Sequence, residues 1–211
     1  MTSVLIIDDH PIVLQGCRRI LTDAGVETVL EAPDLVSGYR LYRRHHPDVV
    51  VIDLAIKRDG LGGLPLIKRI RAHDPRTRIL VFSMHGDPII VARALEAGAK
   101  GYVLKDTSSD EFLKAFEQVR AGMAYLSGEL AMQVALVQTG VHRNPLADLT
   151  PRELQALALL AEGQPYGQIA VTLNVSYKTV ANLCSQLKQK MGARSLSELI
   201  RFAVQHVSPV A

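Results

Sequence analysis

The sequence predicts an α/β fold, a doubly wound five-stranded parallel sheet, followed by a small all-α unit of four helices. Two observations carry this reading. Up to about Ala121, short aliphatic runs alternate with amphipathic stretches, and beyond it the strand signal stops while helical periodicity continues. The length of 211 residues agrees, being one large domain or two small ones, each able to bury a core.

The strands are read from Val4-Leu5-Ile6-Ile7, Val49-Val50-Val51-Ile52, Ile79-Leu80-Val81-Phe82 and Tyr102-Val103-Leu104, which are apolar without alternation. Strands buried on both faces of a parallel sheet have this pattern. Val26 to Glu31 is more polar and reads as a fifth strand nearer an edge. Between the runs, Val13, Leu14, Cys17, Ile20 and Leu21 form one helical face, and Ser108 with Glu111 opens another through Phe112, Ala115, Phe116 and Val119. Right-handed crossovers then wind the sheet on both sides. Residues 123–146 read as a linker with a weakly helical stretch near Glu129–Gln138. Thr150-Pro151-Arg152-Glu153 starts the first helix of the second unit with a cap, a proline at the first helical position and a returning carboxylate.

Composition narrows the function classes. With 48% hydrophobic and 21% charged residues, wholesale disorder and collagen-like repeats are excluded. No apolar run reaches a membrane span, and Ile7-Asp8-Asp9 turns acidic too soon for a signal peptide, so no membrane association is expected. Two isolated cysteines, Cys17 and Cys184, lie on apolar helical faces; they read as core thiols and suit a reducing cytoplasm. The net charge of +3 permits an anionic partner without demanding one. His45, His46 and His85 lack metal-spaced partners and read as surface residues, and Asp59–Gly63 is no phosphate loop because no Lys-Ser/Thr follows it.

In open α/β sheets ligands bind beyond the carboxyl ends of the strands. The residues there are Asp8 and Asp9, then Asp53, then Ser83, then Lys105. Converging carboxylates repel and favour a hard divalent cation with oxygen ligands, Mg²⁺ above all. One of them, Asp53, is then able to attack a phosphoryl group whose oxygens the ammonium and the hydroxyl hold. Polar residues that merely end strands are the duller explanation; four such positions together favour a site.

Ile7-Asp8-Asp9-His10-Pro11, Val50-Val51-Ile52-Asp53-Leu54, Phe82-Ser83-Met84-His85 and Ala97-Gly98-Ala99-Lys100-Gly101-Tyr102-Val103-Leu104-Lys105 resemble the receiver domain of bacterial two-component response regulators, over about residues 2–122. The resemblance implies that Asp53 accepts a phosphoryl group from a sensor histidine kinase. It implies Mg²⁺ on Asp8, Asp9, Asp53 and the Ala55 backbone carbonyl, Lys105 paired with the phosphoryl group, and Ser83 and Tyr102 as switch residues. Two departures stand out. Lys57 occupies the place of the usual proline, and Gly63-Leu64 arrives two residues late, after Arg58-Asp59-Gly60-Leu61-Gly62. The longer, more basic loop puts its geometry and the phosphate lifetime in question, unless it is only a tolerated surface loop.

In the second unit, Ile169, Ala170 and Leu173 form a short apolar face, Asn174-Val175 turns the chain and Ser176 caps the next helix, a helix-turn-helix pattern. Val180, Leu183, Cys184, Leu187 and Met191 make its buried stripe; Lys178, Asn182, Ser185 and Gln189 recur on the other side, with Ala181 and Lys188 adjoining. Such side chains suit base edges and phosphates, although a solvated face looks the same by composition. Leu149-Thr150-Pro151-Arg152-Glu153-Leu154, Gln168-Ile169-Ala170, Leu173-Asn174-Val175-Ser176, Lys178-Thr179-Val180 and Lys190-Met191-Gly192-Ala193-Arg194 are similar to the LuxR-type four-helix DNA-binding domain, over about residues 147–208. The whole chain therefore resembles a response regulator of the NarL/FixJ class: receiver 1–122, linker 123–146, head 147–211. The resemblance implies double-stranded DNA as a partner, with Lys178, Thr179 and Asn182 at or near it and Lys188 and Lys190 on phosphates; the helix-face pattern adds Ser185. Ala181 and Leu183 depart from the usual lysine and histidine. Residues 126–211 hold seven Lys+Arg against five Asp+Glu, a thin margin, so salt-sensitive monomer binding strengthened by a homodimer is expected.

The expected function is a phosphorylation-switched transcriptional regulator and not an enzyme. Two alternatives share residues with it. A Mg²⁺-dependent aspartyl-phosphate phosphohydrolase needs acid/base spacing on the first strand that Asp8-Asp9-His10-Pro11 lacks. A phosphorylation-independent DNA-binding regulator is kept open by the altered loop after Asp53.

Overall fold

The structure, a computed structural model, describes residues 2–57, 59–139 and 144–207. Arg58 of the long loop, residues 140–143 of the connecting stretch and residues 208–211 lie outside them.

Five aliphatic runs form strands β1 (Ser3–Ile7), β2 (Thr28–Ala32), β3 (Val49–Ile52), β4 (Arg78–Ser83) and β5 (Gly101–Leu104). Helices α1 (Pro11–Asp23), α2 (Leu35–His45), α3 (Gly63–His73), α4 (Pro88–Ala97) and α5 (Ser109–Arg120) connect or follow them. A sixth strand, β6 (Tyr125–Leu126), was not expected; with two residues it is too short to leave a periodic signal. The sheet order is β2-β1-β3-β4-β5-β6 and every pairing is parallel.

Alternate residues of each strand feed two apolar layers. Val4, Ile6, Val49, Val51, Leu80 and Val103 pack with α1 and α5, including Leu14, Cys17, Phe112 and Phe116. Leu5, Ile7, Val50, Ile52, Ile79, Val81 and Tyr102 face the other side with Ile67, Ile70, Ile90 and Ala94. That second layer runs without a break into the C-terminal helices. After β6, the helical stretch read near Glu129–Gln138 forms α6 (Gly128–Gln138), whose Leu130 and Val134 join the same layer.

The C-terminal part consists of α7 (Pro151–Ala161), α8 (Tyr166–Thr172), α9 (Tyr177–Met191) and α10 (Leu196–Val207). Thr150 and Glu153 form the reciprocal cap read from the sequence. Asn174 takes a left-handed backbone, φ 52°, at the turn between α8 and α9, and Ser176 accepts the Thr179 N–H to start α9. Apolar residues Leu154, Leu157, Ile169, Val180, Cys184, Leu187, Leu199 and Ala203 close this core. Among the described residues, no helix is long and apolar enough to cross a membrane.

Candidate functional site

The sheet brings the strand-end residues together. Asp8 follows β1, Asp53 follows β3, Ser83 ends β4 and Lys105 follows β5. Lys105 Nζ lies 2.6 Å from Asp8 Oδ2 and 2.7 Å from Asp53 Oδ2. Ser83 Oγ donates to Asp53 Oδ1 at 2.7 Å, and the Ala55 N–H reaches the same oxygen at 3.3 Å. Burial pulls the Lys105 ammonium down, but the Asp53 and Asp8 carboxylates beside it win and hold it above its ordinary value. The lysine is therefore a fixed cation, and Asp53 keeps its oxygens polarised by one charge and one hydroxyl.

A cation also fits. Ligand atoms of Asp8, Asp9, Asp53 and His10 all lie within 4.8 Å of one another. Asp9 Oδ1 is buried and, among the described residues, accepts no hydrogen bond, with His10 Nδ1 3.1 Å away. A carboxylate oxygen in that condition is the kind a hard divalent ion completes. Ala55 lines the adjoining cavity.

The long loop after Asp53 is not a tolerated surface loop. Lys57 has φ 52°, a backbone that proline cannot take, and its N–H donates to Asp9 Oδ2 at 2.9 Å. Both features explain why a proline is absent there. Gly60, Leu61 and Gly62 are buried, and Gly63 returns the chain to the acceptor strand: a Cβ there would sit 2.6 Å from the Asp53 carbonyl. The late glycine thus holds the same close approach after a longer excursion.

The excursion reaches the C-terminal helices. Gly60, at φ 62°, donates its N–H to Glu162 Oε1 at 3.1 Å, and a Cβ on it would meet Leu159 Cγ at 3.1 Å. A cavity of about 430 Å³ lies between the two parts, lined by Asp9, His10, Ala55 and His85 on one side and Ala158, Glu162 and Val207 on the other. Arg93 Nη2 donates to the Leu149 carbonyl at 3.2 Å, and Asn144 Nδ2 to Asp87 Oδ2 at 3.1 Å. The C-terminal helices are therefore seated over the mouth of the Asp53 pocket. Single-sequence patterns carried no sign of these pairs, which depend on the placement of one core against another.

His85 corrects the sequence reading. It is 5% exposed, not a surface residue, and its ring is buried beside the Val207 backbone. Burial is the main reason its pKa falls below the ordinary value. Its carbonyl accepts the Tyr102 hydroxyl at 2.6 Å, so Tyr102 is turned inward and fully buried. His45 and His46 are exposed, as expected.

In the helix-turn-helix, Lys178, Thr179, Asn182, Ser185 and Gln189 are exposed on α9, so the seated head leaves that face open. Lys188 is half-buried. Lys190 behaves differently: its Nζ lies 2.8 Å from Glu153 Oε2 and 3.1 Å from the Asp148 carbonyl, and must leave both to meet a phosphate. Cys184 and Cys17 are buried, with burial pushing the Cys17 thiol up to about 12.

Residues 4–117 match the response regulator receiver domain, and residues 147–203 match the bacterial regulatory proteins of the luxR family. The chain is a response regulator of the NarL/FixJ type. The regulator is 40% identical over 198 residues to the methanol utilization control regulatory protein MoxX of Paracoccus denitrificans, covering 94% of this chain and 89% of that one. It is 32% identical to the response regulator UvrY of Escherichia coli K12, covering 98% and 95%. Its fold is similar to RcsB of Salmonella enterica serovar Typhimurium bound to promoter rprA in the presence of the phosphomimetic BeF3⁻, with TM-score 0.77, 28% identity and coverage of 96% and 98%. These relatives are transcriptional response regulators, and the regulator is not an enzyme.

Proposed function

We propose that the regulator is a phosphorylation-switched transcription factor: residues 1–122 receive the signal, 123–146 connect, and 147–211 bind DNA. The observation that carries this reading is the Asp53 carboxylate held at 2.7 Å by both Ser83 Oγ and Lys105 Nζ, beside Asp8 and Asp9. Asp53 attacks the phosphorus of a phosphohistidine on a sensor kinase; the P–N bond breaks, the imidazole keeps the electron pair, and a P–O bond to Asp53 forms. Asp8, Asp9, Asp53 and the Ala55 carbonyl would hold Mg²⁺, whose charge would offset that of the carboxylates and the incoming phosphoryl group. Lys105 and Ser83 then exchange the carboxylate for phosphoryl oxygens, and their movement, with Tyr102, carries the change toward the β4–α4 loop and the seated head.

On DNA, Lys178, Thr179, Asn182 and Ser185 reach the groove and Lys188 a phosphate, with Lys190 joining if it leaves Glu153. A homodimer doubles these contacts in a cytoplasmic protein. The test is labelling by Mg²⁺ and a small phosphodonor, expected for the native chain and lost in Asp53→Asn. Stoichiometric labelling of that variant overturns the assignment.

The fold's own contacts hold Tyr102 inward and leave α9 open. They favour a second reading, a regulator that binds DNA independently of Asp53. Normal DNA binding and regulation by Asp53→Ala would establish it.

A further inference from the structure

We propose that the α2–α3 flank of the receiver is a second DNA-contacting surface, one that grips the phosphate backbone beside the sequence held by α9. The inference rests on the reading of the head as a DNA-binding unit.

Arg40, Arg43 and Arg44 on α2 and Lys68 and Arg69 on α3 are all exposed. Among the described residues, none of the five has a carboxylate within 4.0 Å, whereas Arg18, Lys57, Arg93, Lys105 and Arg120 all do. Three of them, Arg40, Lys68 and Arg69, stand outside the last helical turns, where a cation would be explained by the helix dipole alone. The cations are also gathered rather than spread. Arg69 lies with its Cζ 3.9 Å from the centre of the Tyr39 ring, and Arg43 and Arg69 together hold that phenol below its ordinary value. Arg43 Nη1 is 3.4 Å from His73 Nδ1, whose ring stacks on His46 at 6.2 Å. Like charges held together without counter-charge repel, and an extended polyanion relieves them.

Duplex DNA is favoured over an acidic protein by where the flank leads. Pro65 and Lys68 share a cavity of about 230 Å³ with Pro151, Arg152 and Gln155 of α7. Arg152 in turn donates to the carbonyl of Leu173, which caps α8 just before the turn into α9. A basic path therefore leads from the turn before α9, through Arg152 and Lys68, to Arg69 and Arg43. The face of α9 is open in the same arrangement. This edge also supplies what the head lacks, since residues 126–211 carry only seven Lys+Arg against five Asp+Glu. Phosphate neutralisation is what DNA affinity mostly consists of.

The experiment uses the full chain and a duplex core selected by it from a random pool, with and without mixed-sequence flanks. Binding is titrated over a range of salt for the native protein, Arg40→Gln/Arg43→Gln/Arg69→Gln, and Asn182→Ala. The native chain should bind the flanked duplex more tightly than the bare core, and the triple variant should lose that gain. Its slope of log affinity against log salt should flatten by about 0.9 for each phosphate contact removed. Labelling of Asp53 by a small phosphodonor reports that the triple variant is folded. If its slope and length dependence equal the native ones while Asn182→Ala loses binding, the flank proposal is overturned and the head reading stands. The same result, with impaired phosphotransfer from a kinase, would assign the flank to a protein partner and equally overturn the proposal. If the native chain selects and binds no duplex, the head reading falls and takes the flank with it.

Discussion

At the scale of single residues, Lys105 competes with a divalent ion for the same oxygens, because its ammonium sits against both Asp8 and Asp53. Replacing it by an apolar chain of similar length, Lys105→Met, should tighten Mg²⁺ binding by roughly tenfold, the order expected when one like charge is removed at close range. Calorimetric titration measures this; unchanged affinity would mean that the cation binds elsewhere. The strand-end carboxylates, serine and lysine were legible because a parallel sheet converts sequence position directly into spatial position. His85 was not, since its burial depends on a head that no local pattern places above it. Glu153 gives a pH signature of its own. Burial raises its carboxyl, but the Lys190 and Thr150 hydrogen bonds outweigh that and hold it below the ordinary range. A depressed carboxyl contributes stability at pH above its unfolded value and loses it as the pH falls through its folded value. Thermal stability should therefore fall on acidification more steeply in the native chain than in Glu153→Gln.

Among the elements, the loop 57–62 shows how a departure from a family pattern becomes structure. The length of the insertion was legible, but its folding inward was not, because the surface that orders it belongs to α7. Restoring the familiar residue should do harm: Lys57→Pro cannot adopt φ 52° and removes the N–H that Asp9 accepts. A loss of about 2 kcal/mol or more is expected in chemical denaturation. Gly60→Ala acts at the other end of the loop, where the left-handed backbone and the closeness of Leu159 both oppose a methyl group. It should cost about 1–3 kcal/mol, expressed as a looser seat for the head and faster proteolysis of the 123–146 connector. The strands and long helices were plain from periodicity, whereas β6 was lost because two residues cannot establish a period.

In the whole molecule, one apolar layer continues from the sheet into the C-terminal helices, and polar ties at Gly60, Arg93 and Asn144 surround it. The division into an α/β part and a helical part was legible from the change of period; the way the two meet was not, since it is written in pairs more than fifty residues apart. The seat has an asymmetry: it roofs the acceptor pocket and leaves the α9 face bare. Under the proposed function, a donor the size of acetyl phosphate should slip under such a roof, whereas a histidine carried on a whole kinase domain should have to wait for it to lift. The ratio of the two labelling rates is thus a gauge of how often the protein opens, and loosening the Gly60 contact should raise the kinase-borne rate while sparing the other.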